Sequence, residues 1–584
     1  MKLSPPTHSQ KTPVAPLGAR AKDFLSPLRL SLASVAIIAA VFAVYSPALN
    51  YQFILDDHRF VNDPRVQSGG HVWDYFTSYV WAQFTGGPSS FYRPVFVLWI
   101  RLNFILSEMS PGGWHLLSIA KHLLVAIVLG LLVWKLLRDR TAALLAGTLF
   151  AFHPAQSESV AWVTVPDPLM SAAMLGSVLL YLRYADGAFR GAGSPALKSS
   201  RKTRKESRAG GASQSSVSWL LASAFLCLIA LLVKETAVVL LPILFALALL
   251  VPPQRAESGS KVEGVSPGTR FLATFRSTLP FWFVTLIYFL LRLNALGGKT
   301  LGARTQSLPL STVLLSAPGI LWFYLKVLLW PVRIYAFADP IEVSAFSVRN
   351  VLLPGLGVGC AVTLLAWGSI WAWRKARRNL PDREAVSVEC ALVLGWLTLL
   401  LPILLALNLN ALNPGDFLHG RYTYLPLAGL LILLATGWHM TEKARIPLLL
   451  AAGSLAILFA IFTVKQESIW KDDLTVFTAG HEIAPHNAPV ALNLARAHVQ
   501  AAIELGDSGR CDEAVPTFNQ VIREYPQDWF AWAGLGQCQL ELNDLAKAEQ
   551  SLHRAVELSH DPRMTEEWQE LRAHMGLSSS PPSK

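Results

Sequence analysis

The chain has 584 residues, of which 52% are hydrophobic and only 15% charged, and its mean hydropathy is +0.39. Soluble domains carry about 25% charge, so a cytosolic enzyme, a disordered chain and a disulfide scaffold are poor fits and a polytopic all-α membrane protein is expected. The charge of +11 is uneven: residues 465–584 hold 10 Lys and Arg against 18 Asp and Glu, a net of −8, whereas residues 1–464 hold 40 against 21, a net of +19.

Residues 1–30 form a basic N-terminal segment, with Lys2, Lys11, Arg20, Lys22 and Arg29 against Asp23. The apolar run 31–49 is long enough to span a bilayer. It lacks a small-residue cleavage site and is expected to be a retained anchor. A mixed stretch, 50–114, follows, amphipathic over 91–107. Further apolar runs lie at about 115–137, 141–153, 168–184, 217–233, 236–251, 277–293, 350–373, 386–408, 422–440 and 446–464. With the anchor they make about eleven spans. The apolar segment 311–330 is expected to be a re-entrant or interfacial helix. Counting it as a span would separate the five basic connections, 1–30, 185–216, 252–276, 374–384 and 441–445. With eleven spans all five fall on one side, which positive-inside topology makes the cytoplasm. The loops 50–114, 294–349 and 409–421 and the acidic tail are then extracytoplasmic. The connection 185–216 is low-complexity and basic, and reads as a disordered cytoplasmic linker. The basic excess lies between apolar runs and not on a soluble aromatic-studded domain, so nucleic acid is not an expected partner.

The tail carries a helical repeat. Trp532, Leu535, Gly536, Ala548, Leu552 and Ala555 stand at tetratricopeptide spacing, with Pro562 two residues past its usual place. Leu494, Ala495, Ala514, Phe518 and Pro526 repeat the template, with about seven extra residues expected in the turn at 503–510. A half-copy covers 470–485. The domains expected are a cytoplasmic segment 1–30, a membrane domain 31–464, a repeat domain 465–565 and a tail 566–584. Cys227, Cys360 and Cys390 lie in apolar runs. No zinc spacing occurs, and Cys511 and Cys538 read more simply as unlinked small residues than as a disulfide.

Asp56 and Asp57 adjoin the end of the first span. Adjacent carboxylates repel, which raises one proton affinity, and a carboxylate tuned in that way can serve as a general base. On an ordinary exposed loop such a pair is solvated surface; at the bilayer edge, among aromatic and basic residues, it is a candidate. Ionisable groups in or beside spans form the second set: Arg93, Arg101, His115, Lys121, His122, His153, Glu158, Asp167, Lys234, Glu235, Arg292 and Arg421. His115 and His122, seven apart, share a helix face. The plain alternatives are that Arg101 and Lys121 snorkel, that Lys234 and Glu235 form an internal ion pair, and that His153 ends a helix. By the topology most of the set gathers on the outer leaflet, where a cluster of cations suits a phosphate.

The stretches FILDDHRFVNDPRV, YRPVFVLWIRLNF, WHLLSIAKHLL, LFAFHPAQSESVAW, VKETAVVLLPILFALALL, LWFYLKVLLWPVRIYAFADP and HGRYTYLPLAGL, with repeats beginning at SIWKDDLTVFTAG, together resemble the transmembrane and tetratricopeptide-repeat O-mannosyltransferases and their bacterial relatives, of the C-type glycosyltransferase superfamily. The resemblance covers about residues 30–560. It implies a sugar donor on a polyprenyl phosphate, mannose transfer to a protein Ser or Thr hydroxyl, and an acidic pair at Asp56 and Asp57. Two departures stand out: VTVPDPL keeps Asp167 one residue out of step without the usual Arg, and Gly420 replaces an acid before Arg421. In an inverting displacement, Asp57 or Asp56 would be the base, and Arg93, Lys234, Arg292 and Arg421 would bind the donor phosphate. His115, His122, His153, Glu158, Asp167, Glu235 and Tyr422 would line the pocket. A divalent cation on Asp56 or Asp57 would be the one metal. The repeats would hold the acceptor protein. A bacterial inner membrane with periplasmic repeats is the expected location. The rival readings are a repeat-bearing membrane scaffold without activity and a lipid-linked-sugar transporter, although transporters place such groups near the midplane.

Overall fold

Leu-, Ala- and Val-rich runs of this length satisfy every backbone polar group within the segment only as helices, the form a bilayer enforces on a chain. The computed structural model describes residues 26–69, 72–80, 82, 91–192, 205–251, 267–298, 307–332, 337–339, 341–411, 418–441, 444–559 and 562–577. Among them the regular structure is helical. The membrane body comprises α1 (Pro27–Tyr45), α2 (Pro94–Ser107), α3 (Pro111–Leu137), α4 (Arg140–Ala151), α5 (Ser157–Ala161), α6 (Asp167–Ala192), α7 (Lys205–Val233), α8 (Leu240–Leu250), α9 (Pro267–Ala295), α10 (Leu310–Leu329), α11 (Leu353–Asn379), α12 (Asp382–Leu405), α13 (Tyr424–His439) and α14 (Arg445–Glu467). By length and composition alone, eight helices among the described residues could cross a membrane, α10 included.

Polar contacts sort the helix ends into two faces. On one, Lys135 at the end of α3 pairs with Asp186 of α6, and Arg383 at the start of α12 lies 3.6 Å from the same carboxylate. Asp139 meets His439 at 3.3 Å and Arg445 at 3.7 Å, tying α4, α13 and α14 together. Arg270 of α9 donates to the Leu249 carbonyl of α8 at 2.6 Å, and Lys375 of α11 donates to the Met440 carbonyl at 2.6 Å. This face carries Arg270, Lys375, Arg383 and Arg445, from the described parts of the basic connections. On the opposite face lie the ends of α1, α4, α7, α9, α12 and α14 and the starts of α3, α6, α8, α11 and α13. Of the eleven expected spans, α1, α3, α6, α9, α11, α12 and α14 are long and apolar enough to cross a membrane, whereas α4, the Val217–Val233 part of α7, and α8 with its leading turn are apolar helices of 10–17 residues.

Both ends of α10 belong to the second face. Leu308, just before it, donates to Asn410 Oδ1 at 2.7 Å, and its Leu328 carbonyl accepts from His153 Nε2 at 3.2 Å. The helix is continuous over 20 residues, and by length and composition it is also among the helices that could cross a membrane. Helices α6 and α7 enter the connection 185–216 from both sides, to Ala192 and from Lys205, because their Ala, Lys, Glu and Arg residues extend helices already nucleated in the bundle. The expectation of disorder over that whole connection is corrected accordingly; residues 193–204, like residues 1–25, lie outside the described residues.

The tail is a stack of α15 (Asp473–Ile483), α16 (Ala488–Asp507), α17 (Cys511–Glu524), α18 (Trp529–Glu541), α19 (Leu545–Ser559) and α20 (Pro562–His574). A Cβ on Gly536 would stand 2.7 Å from Leu552 Cγ, so only glycine lets α18 and α19 approach. The extra residues expected in the 503–510 turn instead lengthen α16 to 20 residues. AAIELGD continues a helix well, and Gly509, at φ +75°, makes the turn. The boundary expected at 565 falls inside α20, whose Trp568 and Leu571 bury against Ala548 and Leu552. Cys511 and Cys538 are disulfide-bonded, with Cα atoms 5.0 Å apart. Facing hairpin helices bring them together across 27 residues of sequence, and the reading as unlinked residues is corrected.

Candidate functional site

Residues 54–57 form a turn closed at both ends. The Asp57 N–H donates to the Ile54 carbonyl at 2.9 Å, and the Ile54 N–H donates to Asp57 Oδ2 at 3.2 Å. Leu55 takes the corner at φ +53°. Asp57 is fully buried. Its Oδ1 accepts from the Thr164 N–H at 3.1 Å and from Thr164 Oγ1 at 2.6 Å. Burial outweighs these donors and lifts the Asp57 carboxyl from 3.8 to about 7. The cause is therefore desolvation, not the repulsion from Asp56 that adjacency suggested. Asp56 is half-buried and caps the single turn Asp57–Val61, its carbonyl accepting from Arg59 and Phe60 at 3.1 Å. The two carboxylates are inequivalent: one is enclosed, the other partly open to the rim.

The segment from Glu158 to Asp167 is the spine of the site. Glu158 accepts from the Arg421 N–H at 2.9 Å and from its guanidinium at 3.0 Å. The Val160 carbonyl accepts from Ser118 at 2.7 Å, and the Val163 carbonyl from Lys121 at 3.2 Å. Trp162 lies under the Arg421 guanidinium, 4.5 Å from ring centre to Cζ. Thr164 holds Asp57, and Asp167 accepts two bonds of 2.7 Å from Lys234 Nζ. Arg93 grips Glu235 through two bonds, of 2.6 and 2.9 Å. Tyr422 joins the pairs, its ring centre 5.2 Å from Lys234 Nζ and 5.6 Å from Arg421 Cζ. The structure thus brings Arg93, Glu158, Asp167, Lys234, Glu235, Arg421 and Tyr422 into one network on the face that carries the acid pair.

The pairing changes what these cations can do. Arg93, Lys234 and Arg421 were expected as open phosphate binders, but each is neutralised by a carboxylate. Lys234 pairs with Asp167 and not with its neighbour Glu235, because successive residues leave the α7 end in different directions. Arg292 differs. It is buried, its NH1 donates to Tyr288 Oη at 3.2 Å, and among the described residues no carboxylate lies within ion-pair distance of it.

The histidines divide. His122 bonds Tyr424 Oη at 2.8 Å and the Ala151 carbonyl at 3.0 Å, a link between α3, α4 and α13. His153 accepts from the Ala155 N–H at 3.3 Å and reaches the Leu328 carbonyl. Both hydrogen-bond neighbouring helices together. His115 is buried edge-on to Tyr51, with ring centroids 6.0 Å apart. Lys121 does not snorkel, being buried on the spine, and Arg101 is spent on the Val66 carbonyl.

Sequence reasoning missed Thr164, Asp473, which receives the Leu55 N–H at 2.8 Å, and the buried Asp63–Arg65 pair. Arg65 knots the first loop by donating to the Val80 carbonyl at 2.6 Å and to Ser78 Oγ at 3.1 Å. Glu467 was missed too; it is buried at the end of α14, and among the described residues neither of its oxygens is hydrogen-bonded. The turn-forming NDPR stretch was the single available sign of the Arg65 knot.

Among the described residues no three His, Cys, Asp or Glu side chains gather as a metal site. A divalent cation such as magnesium keeps several waters and needs only one or two carboxylates beside a substrate phosphate. Asp57 has both oxygens committed to N–H and O–H donors, which leaves one carboxylate of the pair.

A tetratricopeptide repeat family matches residues 499–561. The human protein O-mannosyl-transferase TMTC1 is 26% identical over 547 residues, covering 86% of this chain and 56% of that protein. Drosophila melanogaster Tmtc1 is 25% identical over 562 residues, with coverages of 84% and 61%, and mouse TMTC3 23% over 554, with 89% and 54%. The chain is homologous to these proteins along most of its length and spans little more than half of theirs. Among solved structures, the apo Archaeoglobus fulgidus oligosaccharyltransferase aligns at a TM-score of 0.40 and 13% identity, over 81% of this chain and 60% of that one. ArnT from Cupriavidus metallidurans bound to undecaprenyl phosphate aligns at 0.37 and 12%, over 89% and 79%.

Proposed function

We propose that the protein is an integral-membrane glycosyltransferase that moves a sugar, mannose in the first instance, from a polyprenyl-phosphate donor to a Ser or Thr hydroxyl of a protein. The observation that carries this reading is the Asp56–Asp57 turn, held by Thr164 of the spine and by Asp473 of the repeat domain. The described parts of the basic connections lie on the face opposite this turn, which makes theirs the cytoplasmic side. The site and repeats are then extracytoplasmic, periplasmic if the membrane is a bacterial inner one.

In the reaction, Asp56 takes the proton of the acceptor hydroxyl as its oxygen attacks the anomeric carbon. Asp57, bonded by Thr164 and Ile54, fixes the turn that presents Asp56. The bond from the anomeric carbon to the phosphate oxygen breaks on the opposite side, so the centre inverts. The polyprenyl phosphate leaves unprotonated, its added negative charge stabilised by Arg292. Arg93, Lys234 and Arg421, already balanced, set the shape of the phosphate's surroundings and moderate the field. The concave repeat stack holds the acceptor chain over the rim.

Mass spectrometry of envelope proteins from cells with and without the gene tests the reading. Hexose-bearing Ser or Thr peptides present only with the gene support it. Identical glycopeptide sets in both would favour a scaffold.

A further inference from the structure

We propose that Asp473, in the first turn of the repeat domain, is a positioning residue for the Asp56–Asp57 turn, so that the repeats set the geometry of the transfer site as well as holding a substrate. This rests on the reading of Asp56 as the base.

The acid turn is strained at its corner. A leucine at φ +53° sits where glycine or asparagine is usual, and such a residue persists only where its surroundings over-determine it. The fastening comes from the far end of the sequence. Asp473 Oδ1 accepts the Leu55 N–H at 2.8 Å, and Oδ2 lies 2.9 Å from His58 Nε2. One carboxylate therefore holds the residue before Asp56 and the residue after Asp57. The Gln52 N–H also donates to the Lys471 carbonyl, at 2.9 Å. Ile54 buries in a cluster with Trp162, Val165, Trp470 and Val476.

Asp473 is not needed where it stands as a helix cap. Its neighbour Asp472 does that work, accepting from the Thr475 N–H at 2.8 Å and from Thr475 Oγ1 at 2.6 Å. The second acid of KDDLT is thereby available to reach across to the membrane body. The helix carrying it is itself held in place. The ring of Phe337 stands so close to Gly480 that a Cβ there would lie 2.6 Å from it, and the His486 N–H donates to Asp339 Oδ1 at 3.1 Å.

The test uses the full chain in proteoliposomes, with polyprenyl-phosphate mannose as donor and a Ser/Thr-rich peptide tethered as acceptor. Asp473→Ala, Asp473→Asn and Asp472→Ala are compared by hydrogen exchange at the Leu55 amide and by kcat and donor KM. For Asp473→Ala the expected exchange at Leu55 is faster by about tenfold. Its kcat falls by about tenfold or more with donor KM within about twofold, the mark of misplaced geometry. Asp473→Asn keeps an oxygen for the Leu55 N–H and retains most of both properties. Asp472→Ala loosens the repeat helix without changing exchange at Leu55. Wild-type exchange and kcat in Asp473→Ala would overturn the proposal, as would equal losses in Asp472→Ala. Asp56→Asn runs alongside: full transfer there would overturn the base assignment, while exchange at Leu55 still decides the role of Asp473.

Discussion

Replacing Lys234 with methionine removes the cation of the most enclosed ion pair in the site. The side chains of Lys234 and Asp167 are each 6% exposed, and both carboxylate oxygens take a 2.7 Å bond from the ammonium. The change leaves a carboxylate in a low-dielectric site with nothing to balance it. Arg93 cannot substitute, since its fork is closed on Glu235. Breaking a buried pair from one side costs about 3–5 kcal/mol. Removing both charges, in Lys234→Met with Asp167→Leu, recovers most of that and should fall within about 1–2 kcal/mol of wild type. The assay is reversible unfolding by SDS in mixed micelles, followed by tryptophan fluorescence. A single variant within about 1 kcal/mol of wild type would refute the reasoning, as would a double variant whose loss equals the sum of the two singles.

Arg292→Met should raise the donor KM and lower kcat together, by roughly ten- to a hundredfold in kcat/KM, with Arg292→Lys intermediate; unchanged donor kinetics would remove Arg292 from the phosphate site. The Asp57 carboxyl, lifted from 3.8 to about 7, ties stability to pH. The fold favours its neutral form, so this contribution is full below about pH 4 and is lost as the pH rises through about 7. At about 1.4 kcal/mol per unit the loss is on the order of 4 kcal/mol. Asp57→Asn should flatten the decline of stability between those limits, and an unaltered pH profile would count against the burial of Asp57.

The sequence announced the helices, the repeats and the acid pair, because each is written in local order: apolar run length, small residues at fixed offsets, adjacent carboxylates after a span. It did not announce partners. Arg93 and Glu235 are 142 residues apart and Asp57 and Thr164 are 107 apart, and nothing in spacing says which distant groups will touch. Cations that looked available to a phosphate are mostly satisfied for that reason, whereas Arg292 emerges only once the others are paired off. The seven residues beyond the repeat template carried helix-forming composition, so they joined α16 rather than its turn. The disulfide depended on hairpin packing that two isolated cysteines do not reveal. Asp473 was hidden differently: next to a capping aspartate it looks like a second helix-start acid, and its reach across to Leu55 exists only in three dimensions.

The most direct test of the account is transfer of radiolabelled mannose from polyprenyl-phosphate mannose by the purified protein in proteoliposomes, comparing wild type with Asp56→Asn. Loss of a general base costs about 10²–10⁴-fold in rate, so labelled acceptor should fall by that factor while the protein stays folded and donor KM holds. Undiminished labelling by Asp56→Asn would contradict a base on the rim of this turn.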